Sequence, residues 1–119
     1  MERKNDTGKI AEDFVCKKLS REGHCILARN YSTRYGEIDI IYIEKDSGDL
    51  VFAEVKYRQD ASCGYPYEYV TERKLNRIEQ CAESFLQSYV GELPEYMRID
   101  VFSVLGDFDN IEHFRNVSG

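Results

Sequence analysis

The chain has 119 residues, 42% of them apolar, and a formal net charge of −6 with a pI near 4.9. That length makes one domain, 1–119, large enough to fold without disulfides or a structural metal, and the apolar fraction is that of an ordered globular protein. No run approaches the roughly 18 apolar residues of a membrane span, and the acidic balance counts against non-specific binding to a polyphosphate. The opening Met-Glu-Arg-Lys-Asn-Asp has no apolar segment, so a cytoplasmic, non-membrane protein is expected. Cys16, Cys25, Cys63 and Cys81 form no closely spaced pair, and His24 and His113 do not complete a zinc pattern. Reduced thiols are expected.

A first helix is expected over 7–21, with Thr7 or Asp6 as its cap, an apolar stripe of Ile10, Ala11, Phe14, Val15 and Leu19, and Gly23 as its stop. A short strand follows at 25–29. Strands over 36–44 and 50–57 flank the turn signal Asp46-Ser47-Gly48-Asp49 and form a hairpin. Residues 59–70 read as a loop. A second helix over 71–90 presents Leu75, Ile78, Ala82, Phe85, Leu86 and Tyr89, and Gly91 and Pro94 stop it. Strands at 97–105 and 111–114 complete an α-β-β-β-α-β-β order, a mixed sheet flanked by helices.

The hairpin is the informative feature. With Ser47 and Gly48 as a two-residue loop, opposite residues have numbers summing to about 95 and share a face. One face then carries Ile38, Ile40, Tyr42, Val51, Ala53 and Val55, and the other Asp39, Ile41, Ile43, Phe52, Glu54 and Lys56. Both faces are mainly apolar, so both should be covered. Asp39, Glu54 and Lys56 cluster on a face that is otherwise core. Diagonal neighbours lie roughly 7–8 Å apart, close enough for two carboxylates to converge on one ion. Magnesium favours such oxygen ligands, and Lys56 would orient a water or stabilise charge on a phosphate. A three-residue loop would separate Asp39 from the other two. The competing interpretation is an Asp39–Lys56 ion pair with Glu54 at the rim.

The run Gly36-Glu37-Ile38-Asp39-Ile40-Ile41, with Glu54 fifteen positions after Asp39 in Phe52-Ala53-Glu54-Val55-Lys56-Tyr57-Arg58, resembles the PD-(D/E)xK nuclease superfamily. More narrowly, the chain resembles the bacterial YraN-like family, similar to archaeal Holliday junction resolvases. Arg29-Asn30-Tyr31, Lys74, Arg77 and Arg98-Ile99-Asp100 extend the likeness over nearly the whole chain. Ile38 stands where the superfamily motif has proline. The resemblance implies an α/β restriction-endonuclease-like fold and hydrolysis of nucleic-acid phosphodiesters with Mg2+ or Mn2+. Asp39 and Glu54 would be metal ligands and Lys56 the catalytic lysine. Glu12 matches a first-helix glutamate that resolvase-like members add to the site, which would make it a third catalytic carboxylate and metal ligand. By wheel geometry it falls about 20° beyond Leu19, at the stripe's margin; a salt-bridged or solvent-facing role fits it equally.

Lys74 and Arg77 on the second helix, and Arg58 beyond Lys56, are candidates to contact phosphates, with a solvated helix flank as the plain alternative for the first two. Tyr65, Tyr67 and Tyr69 alternate in the loop and would either stack on bases or close over core. Arg98 and Asp100 should pair with each other or with the second helix. The expected function is a metal-dependent endonuclease acting on branched or otherwise unusual DNA in recombination or repair, with a homodimer as one way to cut two symmetric strands. A catalytically silent nucleic-acid-binding or scaffold protein, or a structural ion-pair network, stands beside it.

Overall fold

The computed structural model describes residues 6–58, 71–106, 108 and 110–117. The loop expected over 59–70, with Cys63, Tyr65, Tyr67 and Tyr69, lies outside the described residues. The elements are α1 (Asp6–Arg21), β1 (Cys25–Thr33), β2 (Gly36–Ile43), β3 (Leu50–Arg58), α2 (Glu72–Ser88), β4 (Met97–Leu105) and β5 (Ile111–Phe114). Their order is the α-β-β-β-α-β-β order read from the sequence, and the architecture is the α/β, restriction-endonuclease-like one: a five-stranded mixed sheet flanked by two helices. The strands lie in the order β1-β2-β3-β4-β5. Neighbours are antiparallel except β3 and β4, which run parallel. A parallel pair needs a crossover, and α2 supplies it.

Each helix is positioned by its own sequence. Ala11, Val15 and Leu19, at i, i+4 and i+8, are buried against Ile40, Tyr42, Val51, Ala53, Phe102 and Val104. Ile10, expected in this stripe, is instead 54% exposed; it lies about 100° around the helix from Ala11, outside the contact row. Gly23, at φ +96°, closes α1 with its N–H on Ser20 O and the His24 N–H on Leu19 O, the Schellman arrangement that a left-handed glycine permits. On the other face of the sheet Ile78, Cys81, Ala82 and Phe85 of α2 pack with Ile41, Leu50, Phe52 and Ile99. Thr71 caps α2, its Oγ1 accepting the Lys74 N–H at 3.2 Å. The two apolar faces of the hairpin are thus both covered, as expected. Cys16, Cys25 and Cys81 are free thiols. Among the described residues no helix is long and apolar enough to cross a membrane.

The β2–β3 turn corrects the expected register. Ile43 lies opposite Leu50 and Ile40 opposite Ala53, and the Glu44 N–H donates to Asp49 O at 2.9 Å. The turn is therefore residues 45–48, not Ser47 and Gly48 alone. Every pair is displaced by two positions. An even shift leaves the face of each side chain unchanged, so Asp39, Glu54 and Lys56 stay together. The same shift replaces Lys56 by Glu54 as the residue across from Asp39.

Ile38 is a second correction. It packs in the α2-side core rather than beside Ile40. The cause lies in the neighbouring strand, where Asn30 has φ +50°. That left-handed residue interrupts the pleat. Arg29 and Asn30 both reach α1, to Asp13 and Glu12, whereas Tyr31 reaches Ser84 of α2. Ile38, paired with Tyr31, follows it, and Asp39 sits at the break.

Candidate active site

Asp39 lies where the β2–β3 ladder ends, one residue beyond the Ile40–Ala53 pair. Its Oδ2 accepts the Val55 N–H at 2.8 Å, so the carboxylate takes over a donor that the opposite strand no longer satisfies. Glu54, next along β3, turns to the same side. Glu12 of α1 lines the same cleft as Asp39 and accepts from Asn30 Nδ2 at 2.8 Å. Three carboxyl groups from three elements therefore line one cleft. Burial, then the charges of Glu12 and Glu54, push the Asp39 pKa well above the ordinary carboxylate range, against the opposing pull of the Val55 N–H.

Two lysines complete the cluster. Lys74 of α2 is ion-paired to Glu54 Oε2, and Lys56 Nζ lies 3.6 Å from the same oxygen. Burial and the neighbouring Lys74 ammonium lower the Lys56 pKa, outweighing Glu54. For Lys74 burial acts downward, but its hydrogen bond and charge interaction with Glu54 prevail and the pKa rises. The Asp39–Lys56 ion pair considered from the sequence does not form; Lys56 turns to Glu54.

The cluster separates two clefts. One, of about 590 Å³, opens toward the first turn of α1 and is lined by Lys9, Glu12, Asn30, Asp39, Glu54 and Lys56 among others. The second, of about 500 Å³, opens toward α2 and is lined by Glu37, Asp39, Glu54, Lys74 and Arg77 among others. Asp39 and Glu54 border both. Arg77 is exposed on the α2 side. Arg58 does not reach the clefts: it is buried, with Nε on Ser103 Oγ at 3.2 Å and Nη2 3.7 Å from Glu112.

The donor set suits a hard divalent cation. Carboxylate oxygens are the ligands such ions prefer, and a dication offsets the burial and the carboxylate charges that push the Asp39 pKa up. Among the described residues no three acidic, histidine or cysteine side chains are drawn into a ready ligand cage. The arrangement fits an ion held through one or two carboxylates and otherwise by water. Asn30 and Glu37 were not singled out for the site from the sequence; an asparagine just before the motif strand was the available signal, because asparagine tolerates left-handed backbone.

Residues 11–104 match the family described as "Uncharacterised protein family UPF0102". Similar proteins include a "UPF0102 protein" of Dictyoglomus turgidum, 37% identical over 115 residues covering 93% of this chain and 95% of that one. Another, from Lachnoclostridium phytofermentans, is 43% identical over 100 residues, covering 82% and 81%. A third, "UPF0102 protein FN1370" of Fusobacterium nucleatum, is 41% identical over 103 residues, covering 86% and 83%. The family match spans the helix of Glu12, the hairpin of Asp39, Glu54 and Lys56, and the α2–β4 crossover, and the chain belongs to the UPF0102 family, which is the YraN family.

Proposed function

We propose that this protein is a cytoplasmic, divalent-metal-dependent endonuclease that hydrolyses phosphodiesters in branched or otherwise unusual DNA during recombination or repair. The observation that carries this reading is the convergence of Asp39, Glu54 and Glu12 at the break in the sheet, with Lys56 beside them and open clefts on either side. Asp39 and Glu54 would hold Mg2+ or Mn2+, with Glu12 adjusting the charge and position of Asp39. When bound, the ion supplies Lewis-acid polarisation of a phosphoryl oxygen and eases deprotonation of water.

The chain's own side chains do the rest. Lys56, on a strand paired with β4 along its length, keeps its ammonium near the scissile phosphate and neutralises charge that develops there. Lys74 and Arg77 line the α2 cleft where neighbouring phosphates would run. The Val55 N–H fixes the orientation of Asp39. A net charge of −6 repels DNA at long range, so affinity depends on the ion and on this local cluster of cations. A homodimer would let two such sites act on symmetric strands.

The test is cleavage of labelled duplex, single-stranded, flap and four-way-junction DNA in magnesium, manganese or chelator, with Glu54→Ala and Lys56→Ala alongside. Metal-dependent cutting that falls by at least about 100-fold in both variants is expected. DNA retention without cutting of any substrate would instead favour a silent binding protein that keeps the fold.

A further inference from the structure

Glu54 carries two ammonium groups on one carboxylate oxygen. Glu54 cannot by itself balance both ammonium groups. The two lysines are not equivalent. Lys56 extends from a strand paired on β4. Lys74 sits in the first turn of α2, where the backbone N–H groups already present partial positive charge and an ammonium is disfavoured. Its attachment to Glu54 offsets that. A dication arriving at Glu54 would repel the Lys74 ammonium and remove its reason to stay. Lys74 lines the α2 cleft, about 500 Å³, together with Arg77, and the lysine stem is flexible enough to swing within it.

We infer that Lys74 is the exchangeable counter-ion of Glu54: it neutralises the carboxylate until a divalent cation takes that place, and then turns away from Glu54, within the α2 cleft that it already lines, to bind a phosphate oxygen of the substrate strand. This rests on the nuclease reading above and gives Lys74 a positioning role distinct from the fixed charge of Lys56. Metal and anionic strand then favour each other, because each occupies what the other's arrival leaves free. The helix N-terminus adds its partial charge to the released ammonium, which makes the cleft a phosphate site only in the metal-bound state.

The experiment uses the full chain and measures Mn2+ affinity by electron paramagnetic resonance of the free ion. It also measures the affinity for a short labelled single-stranded DNA with and without Mn2+, before cutting proceeds. Lys74→Met should bind Mn2+ about fivefold or more tighter than wild type in the absence of DNA, and should lose most of the gain in DNA affinity that Mn2+ produces. Lys74→Arg, which keeps the charge, should return Mn2+ affinity close to that of wild type. Unchanged or weaker Mn2+ binding by Lys74→Met would overturn the counter-ion role, and tighter binding with the DNA gain intact would overturn the phosphate role. If wild type and Lys74→Met both fail to bind Mn2+ at millimolar concentration, the metal reading itself falls, and this inference with it.

Discussion

Asp39 is a carboxyl group whose ionisation the fold opposes. Burial and the neighbouring Glu12 and Glu54 raise its pKa from 3.8 to about 8. A folded-state value above the unfolded one means that the folded chain binds the proton more tightly. The associated stability is present below pH 3.8 and is lost as pH rises through about 8. Asp39→Asn keeps an acceptor for the Val55 N–H and cannot ionise. In chelator it should stabilise the protein by about 1–2 kcal/mol at pH 8 and by much less at pH 4. Urea unfolding at the two pH values measures this, and an equal gain at both would refute it. Asn30 poses a different problem. Its φ of +50° and its bond to Glu12 predict that Asn30→Ala costs about 1–3 kcal/mol through strain and a lost hydrogen bond. The same denaturation series checks it. Asp39, Glu54 and Lys56 were legible in the sequence because strand alternation puts charges on an otherwise apolar face. The left-handed turn at Asn30, which brings Glu12 into contact, leaves no periodic trace.

At the scale of elements, parity was more robust than register. The sequence fixes neither how many of residues 44–49 belong to the turn nor where pairing stops, and the expected pairs were off by two. Where the pleat is regular, face assignment depends only on whether that error is odd or even, so Glu54 and Lys56 kept their face, whereas Ile38, beyond the break at Asn30, did not. β1 ran to Thr33 rather than ending at residue 29 because Thr33 pairs with Gly36 across Arg34-Tyr35. Those two residues lack the Asn-Gly or Asp-Gly chemistry that announces a tight turn, and nothing in the string marked the hairpin. Helix ends were easier to place, since capping residues are chemically distinct. Thr71 illustrates this, and its substitution has a defined consequence. Thr71→Ala removes the acceptor of the Lys74 N–H and should cost about 0.5–2 kcal/mol, whereas Thr71→Ser should cost a few tenths. Urea midpoints of the two variants distinguish loss of the cap from a general disturbance of the loop.

Across the whole molecule the β2–β3 hairpin carries charge at both ends, with opposite electrostatic outcomes. At the site end, carboxylates crowd one another. At the turn end, five residues along and so about 16 Å away, charges are matched. Arg98 bonds Glu44, Asp49 and Asp100; Arg115 reaches Glu44; His113 and the Asn116 N–H reach the fully buried Asp100. The sequence pairing of Arg98 with Asp100 was correct, but Glu44 and Asp49 join only because the turn folds back over β4, a contact that residue spacing does not encode. The hydrogen bond from Arg98, more than offsetting burial, lowers the Glu44 pKa from 4.5 to about 2. A depressed carboxylate contributes stability that is present above pH 4.5 and lost as pH falls through about 2. Removing Arg98 leaves buried carboxylates without their partner, so Arg98→Ala should cost about 3–5 kcal/mol at pH 7. Much of that cost should vanish near pH 2, where wild type has lost the same interaction. Guanidinium unfolding at both pH values decides between this and a packing effect, which would give the same loss in each. Because the network lies at the far end of the hairpin from Asp39, Arg98→Ala protein that remains folded at pH 7 should bind Mn2+ as wild type does. A matching fall in Mn2+ affinity would mean that the turn end also sets the geometry of the carboxylates.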